Sequence, residues 1–247
     1  MNTLIAQCKS ELIRTIRNRR FIIFTVIFPV MFYFILINQV GGDTIIEGVS
    51  WNLKLMIGCA TIGVMGSGLN TLSNRISLDF SQGWIKLIKV SPLPPFTYVI
   101  ANMIAQLFLN FLIICIVFMV AFFYQGINLS ITEWLIICLW LWVTSIVSIL
   151  GGIIIGVLVP SDSAQVIGTG IFMLLLFLGG VAQPPGLLPD FMQIISKVLP
   201  VYYIVKVPTD VVAHHGIEAL DYIVILAYTV VFIFLSVFAI NKKQLSR

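Results

Sequence analysis

Charge is scarce in this chain. Asp, Glu, Lys and Arg together make up 10% of its 247 residues, against roughly a quarter in soluble domains, so there is too little polar surface for an ordinary water-facing domain. The groups from which catalysis or metal binding is usually built are few. Cys8, Cys59, Cys115 and Cys138 fall on separate segments with no CxxC or ligand spacing, which points to neither a disulfide framework nor a metal site. The two histidines, His214 and His215, are adjacent and lie outside every long apolar run. Ser67 has Met65 two places before it, so the Gly-x-Ser pattern of an intramembrane serine protease is missing. No GxxxxGK[ST] run occurs, and the chain has no P-loop for ATP.

What is abundant is apolar sequence. Apolar residues are 60% of the chain and the mean hydropathy is +1.08, which places it among membrane proteins. A hydrocarbon layer about 30 Å thick needs about 20 mostly apolar residues per helix. That ruler predicts six spans, over Phe21–Asn38, Asn52–Leu72, Phe96–Phe123, Trp134–Val159, Ala164–Ala182 and Tyr222–Ile240. The fold class is an all-α integral membrane protein, a single transmembrane domain over residues 1–247. Continuous runs, not short alternating ones, argue against a β-barrel.

Within those spans Asp, Glu, Lys, Arg and His are missing away from the ends. A proton- or sodium-coupled carrier needs such groups at membrane depth, although a central charge costs about 2.5–3.5 kcal/mol to insert. A pore-lining ring of charge is missing too. Energy must come from outside the chain, unless it is an ATP-independent channel or scaffold.

The cations give the orientation. Lys9, Arg14, Arg17, Arg19 and Arg20 precede the first span, Arg75, Lys86 and Lys89 lie between the second and third, and Lys242, Lys243 and Arg247 follow the last. All fall on one side, which predicts both termini in the cytoplasm. The net charge of +4 follows from this asymmetry and suggests no nucleic-acid partner. Residues 1–20 read as an uncleaved amphipathic helix on the inner surface. Leu4, Ile5, Cys8, Leu12, Ile13 and Ile16 recur at helical spacing, with Lys9, Arg14 and Arg17 on the other faces, fit for anionic lipid or for a docked partner.

The loop over residues 73–95 is longer than a turn requires. A helix is predicted over Leu78–Val90, with Trp84, Ile85, Leu87 and Ile88 apolar and Asp79, Gln82, Lys86 and Lys89 wettable, closed by Ser91-Pro92. Such a helix offers a greasy surface to a soluble partner or rests among lipid headgroups. Asn102, Gln106 and Asn110 repeat every four residues along the third span, so they face other helices or a wet translocation path. Gly58, Gly63, Gly66, Ser67 and Gly68, with Gly151, Gly152 and Gly156, read as positions of close helix approach. Residues 183–218 break into two short helical pieces opened by Pro189 and divided by Pro200, with Tyr202 and Tyr203 at interfacial depth: an outer re-entrant hairpin that could act as a lid.

Two of these stretches carry a family likeness. The run Gly83-Trp-Ile-Lys-Leu-Ile-Lys-Val-Ser91-Pro92-Leu93 resembles the cytosolic segment of type-2 ATP-binding-cassette export permeases. Gly180-Val181, Leu188-Pro189, Gln193 and Leu199-Pro200-Val-Tyr-Tyr203 resemble that family's outer signature. Lys86 departs from it, standing where an acidic residue is common, as does Val205-Lys-Val-Pro208. The resemblance implies a bacterial plasma-membrane half-transporter that pairs with a second permease, identical or not, and docks a separate P-loop ATPase. Asp79, Gly83, Trp84, Ile85, Leu87, Ile88 and Pro92 would form the coupling surface. ATP and Mg would bind the partner ATPase, with no cofactor on this chain. The implied cargo is amphiphilic: a drug-like molecule, a lipid or glycolipid, or a hydrophobic peptide, moved outward.

Overall fold

The computed structural model describes residues 2–17, 19–40, 44–46, 48–83, 95–181, 186 and 189–245. Helix α1 (Asn2–Arg17) is followed by α2 (Arg19–Val40) and by a small antiparallel hairpin of β1 (Ile45–Ile46) and β2 (Val49–Ser50). The long helix α3 (Trp51–Ser81) comes next, then α4 (Pro95–Gln125), α5 (Ile131–Leu158), α6 (Ser161–Leu178), the short α7 (Asp190–Val198) and α8 (Pro200–Val212), and α9 (Ala219–Leu245).

Among the described residues five helices are long and apolar enough to cross a membrane: Trp51–Ser81, Thr97–Gln125, Ile131–Leu158, Ser161–Leu178 and Ala219–Lys243. The protein is therefore an all-α multi-pass membrane protein. The first of the six expected spans lies in α2, whose described apolar part, Ile27–Asn38, is shorter than a span. Helix α3 is the centre of the bundle: 83% of its apolar window is buried, against 22% for α6 and for α9.

The second span does not end where polarity suggests. Ser73 and Ser77 are buried because their hydroxyls are satisfied: Ser73 donates to the carbonyls of Leu69 and Asn70 within the helix, and Ser77 donates to the Val159 carbonyl at 2.6 Å. With those groups paired, the helix runs on to Ser81 and so includes Leu78 and Asp79, instead of a new helix opening there. Gly83 at φ 76°, with its N–H directed to the Phe80 carbonyl, supplies the left-handed stop.

Halfway along, α3 widens into a π-helical turn over Ser67–Leu72. Small residues on its neighbours admit it. Ser148, Gly152 and Gly156 form one stripe on α5; a Cβ on Gly152 would run into the Gly68 carbonyl, and one on Gly156 would come 2.7 Å from Ile76 Cβ. Gly168 of α6 meets the Leu69 carbonyl in the same way. Pro29 of α2 is buried beside Gly63, whose Cβ would lie 2.9 Å from its ring. Helix α5 starts at a capping box, in which Ser130 and Glu133 exchange side-chain and backbone bonds.

At the hairpin end, Pro200 opens α8 at its first turn, and α8 continues through Pro208 to Val212 as one helix. It inserts Val201, Tyr203, Ile204 and Val207 between α3, α5 and α9. Helix α7 leaves Phe191, Ile194 and Val198 exposed and buries Ser196.

Candidate functional site

At the opposite end of the bundle, α1 is bolted to the foot of α3. Glu11, Arg14 and Thr15 lie three and four residues apart on α1, and Arg75 and Asp79 lie four apart on α3, so each set shares one helix face. The faces meet with charges opposed. Arg14 grips Asp79 with Nη1 to Oδ2 at 2.9 Å and Nη2 to Oδ1 at 2.7 Å. Arg75 bonds Glu11 through Nη2 and Thr15 Oγ1 through Nη1, the latter at 2.8 Å. Tyr98 of α4 donates its hydroxyl to Asp79 Oδ2 at 2.6 Å, and Gln7 donates to Glu11 Oε1 at 3.2 Å.

Glu11 and Asp79 are each only 2% exposed. Asp79 therefore does not keep a loop helix wet; it is a buried anchor. The hydrogen bond from Arg14 to Asp79 raises the Arg14 pKa above its ordinary value, so the guanidinium keeps its charge. Two cations and two carboxylates balance, and removing either arginine would strand a buried carboxylate. Lys9 and Arg17 remain on exposed faces of α1, as do Ile5, Ile13 and Ile16. The helix thus turns Glu11 and Thr15 to the protein and Ile5, Ile13 and Ile16, with Lys9 and Arg17 among them, outward. Sequence reading missed Glu11, Thr15, Arg75 and Tyr98; the available signal was an acid at helical spacing among the cations of each segment.

A cavity of about 250 Å³ adjoins this network, with Arg14, Arg75, Asp79, Asn74, Gln82 and Gln106 on its wall. On the side of α2 and α6 an open groove of about 320 Å³ runs past Phe28, Pro29, Gly66, Asn70, Thr169 and Phe172. Thr71 of the π turn lines both, so the widened part of α3 forms the wall between them.

The amide stripe of α4 points into the bundle. Asn102, Gln106 and Asn110 are all buried. Asn102 donates to the Tyr98 carbonyl at 2.9 Å, Gln106 donates to Asn110 Oδ1 at 3.2 Å, and Ser67 of the π turn donates to the same oxygen at 2.6 Å. Asn110 thereby ties α4 to α3 at mid-bundle, whereas Gln106 reaches the cavity wall.

Trp84, Ile85, Leu87, Ile88 and Pro92 lie outside the described residues, and the helix expected through Val90 is traced only to Ser81. Of the expected coupling positions, Asp79 and Gly83 are placed: Asp79 holds Arg14 of α1, and Gly83 follows the end of α3.

At the hairpin end Pro189 caps α7, Pro200 begins α8, and Tyr203 donates to the Lys197 carbonyl at 2.9 Å, closing α7 against α8. Lys206 of α8 is held by Asp221 of α9 at 3.0 and 3.2 Å and by Glu218 at 3.2 Å. Burial lowers the Lys206 pKa, but the bonds to Asp221 and Glu218 outweigh it and the net shift is upward. Asp221 is fully buried, so this pair fixes α8 to the last long helix.

The sequence model described as ABC-2 type transporter matches residues 3–211. The chain is also similar to a Bacillus subtilis (strain 168) protein named "Putative transport permease YvfS", with 30% identity over 244 residues covering 99% of each chain.

Proposed function

The chain belongs to the ABC-2 type transporter family, and from that premise we propose that it is the transmembrane subunit of an ATP-driven exporter in a bacterial plasma membrane. The α1 end faces the cytoplasm, where Lys9, Arg14, Arg17, Lys242 and Lys243 lie, α2 supplies a sixth span, and both termini are cytoplasmic. A separate P-loop ATPase, carrying ATP and Mg, docks on the segment that follows Gly83, through Trp84, Ile85, Leu87 and Ile88. A second permease, identical or different, faces the groove beside α2, α3 and α6. Amphiphilic cargo leaves between the two bodies when ATP-driven movement below opens the path outward. The short α7–α8 hairpin is the outer lid.

The observation that carries this reading is the clamp. Arg14–Asp79 and Arg75–Glu11 join the surface helix to the last turns of α3 just before the proposed docking segment. A push on that segment reaches α1 and α3 together, and α3 carries it up to the π turn that borders the groove. Its test is substrate-stimulated ATP hydrolysis by the assembled complex. Gly83→Pro cannot adopt φ 76°, and Ile88→Asp removes apolar surface from the docking segment. Both variants are expected to insert normally and lose stimulation. Normal stimulation in both would overturn the docking role, and transport by the chain without any ATPase would favour a channel.

A further inference from the structure

The cavity at the foot of α3 is bordered by the clamp but not consumed by it. Its volume of about 250 Å³ corresponds to about eight waters at about 30 Å³ each. Its wall carries the Arg14 and Arg75 guanidiniums and the amides of Asn74, Gln82 and Gln106. Asp79 is the one carboxylate on that wall among the described residues, and it is already committed to Arg14 through two bonds and to Tyr98 through a third. Glu11, which neutralises Arg75, does not line the cavity. The wall itself therefore bears two cations and one anion.

Donors are also in surplus. A guanidinium offers five N–H groups. Arg75 commits Nη1 to Thr15 and Nη2 to Glu11, which leaves a second N–H on each, while its Nε is buried and closed to the cavity. Arg14 is half exposed and spends Nη1 and Nη2 on Asp79. Guanidiniums with free N–H groups suit the oxygens of a phosphate. No acid remains uncommitted on the wall to take an ammonium or choline.

The position supplies the rest. Helix α1 turns Ile5, Ile13 and Ile16 away from the bundle and Glu11 and Thr15 toward it. A helix whose exposed isoleucines are interleaved with Lys9 and Arg17 lies where acyl chains meet headgroups, and the cavity lies against its Arg14–Thr15 side. Leu78, 39% exposed, completes its wall with apolar surface, which a free ion would not use.

We propose that this cavity binds the phosphodiester headgroup of an anionic phospholipid from the leaflet on the α1 side, with Arg14 and Arg75 on the phosphate oxygens and the glycerol against Leu78. Basic pockets between membrane helices on the cytoplasmic side bind anionic headgroups by this chemistry. The bound lipid bridges α1 and α3 and tightens the clamp, because a ligand that binds only the docked arrangement stabilises it. The inference rests on the membrane orientation given under Proposed function and not on the ATPase.

The test is native mass spectrometry of the purified full chain in detergent, titrated with dioleoyl phosphatidylglycerol, dioleoyl phosphatidylcholine or inorganic phosphate. Phosphatidylglycerol is expected to be retained at one-tenth or less of the phosphatidylcholine concentration, and inorganic phosphate in equal amount is expected not to displace it. Asn74→Trp fills the cavity without touching an ion pair and should abolish the adduct. Gln82→Glu, at an exposed rim position where folding is not at stake, should weaken retention about tenfold by placing a carboxylate beside the site, equivalent to about 1.4 kcal/mol. Equal retention of the two lipids overturns the proposal, as does unchanged retention in both variants. Displacement by inorganic phosphate would make the site one for free anions and overturn the lipid assignment. A failure here leaves the ATPase-docking test standing, and a failure of docking leaves this result unaffected.

Discussion

Arg14→Ala breaks the clamp at the point where its worth can be worked from geometry. The variant removes two charge-assisted bonds, at 2.9 and 2.7 Å, from a carboxylate that is 2% exposed. Bonds to charged groups are worth about 1.5–3 kcal/mol each. The Arg14 side chain is 47% exposed, however, and Tyr98 still donates to Asp79 in its absence, so screening and the surviving bond reduce the sum. A net loss of about 2 kcal/mol is expected for the docking of α1, which would raise the population of undocked α1 about 30-fold. Hydrogen exchange of peptides from residues 2–17, measured by mass spectrometry in nanodiscs, reads that population directly. Asp79→Asn should accelerate the same peptides less, since water can still reach Arg14. The double variant should fall short of the two effects added together by about 1–2 kcal/mol. Lys9→Ala, on an exposed face of the same helix, should change nothing. Additive effects, or unchanged exchange in Arg14→Ala, would refute the clamp as the bond between α1 and α3.

Gly152→Ala places a Cβ against the Gly68 carbonyl of the π turn, backbone against backbone, and should cost about 1–3 kcal/mol of stability or more; Gly170→Ala, with open space around it in the interior of α6, should leave the melting temperature unchanged or raise it slightly in the same thermal-shift assay. Lys206→Met strands the buried Asp221 carboxylate and should destabilise by about 3 kcal/mol. Because the folded Lys206 pKa is raised, the contribution of the pair is fully present below the unfolded lysine value of about 10.4. It is lost only as pH rises through the folded value. The difference between native protein and variant should therefore be flat from pH 7 to 9; a decline within that window would contradict the assignment.

The later spans were legible because long apolar runs leave no alternative under the length rule. Their limits were less so. Ser73, Arg75, Ser77 and Asp79 look like an exit from the membrane, yet Ser73 is paired within its own helix and the other three have partners that a single segment cannot reveal: Val159 for Ser77, Glu11 for Arg75, Arg14 for Asp79. Those pairings join residues 64 or more apart, and periodicity within one helix cannot show which polar stripe meets which. Asn102, Gln106 and Asn110 are buried in the bundle, in keeping with the cost of leaving three amides in register on one helix facing lipid. Gly152, Gly156 and Gly168 signalled close approach but gave no hint of a π turn as the element they admit. The short strand pair before α3 was also unforeseen, since its two-residue strands are too brief to show alternation.

The central claim is that a separate ATPase moves this permease by contact where α3 leaves the clamp. Photo-crosslinking of the complex in native membranes tests it most directly, with a benzophenone side chain in place of Gln82, exposed at the end of α3, or of Glu218, exposed at the opposite end. The account predicts an adduct with a P-loop ATPase subunit from position 82 and none from position 218. An adduct from 218 alone, or from neither position in a complex that hydrolyses ATP, would contradict it.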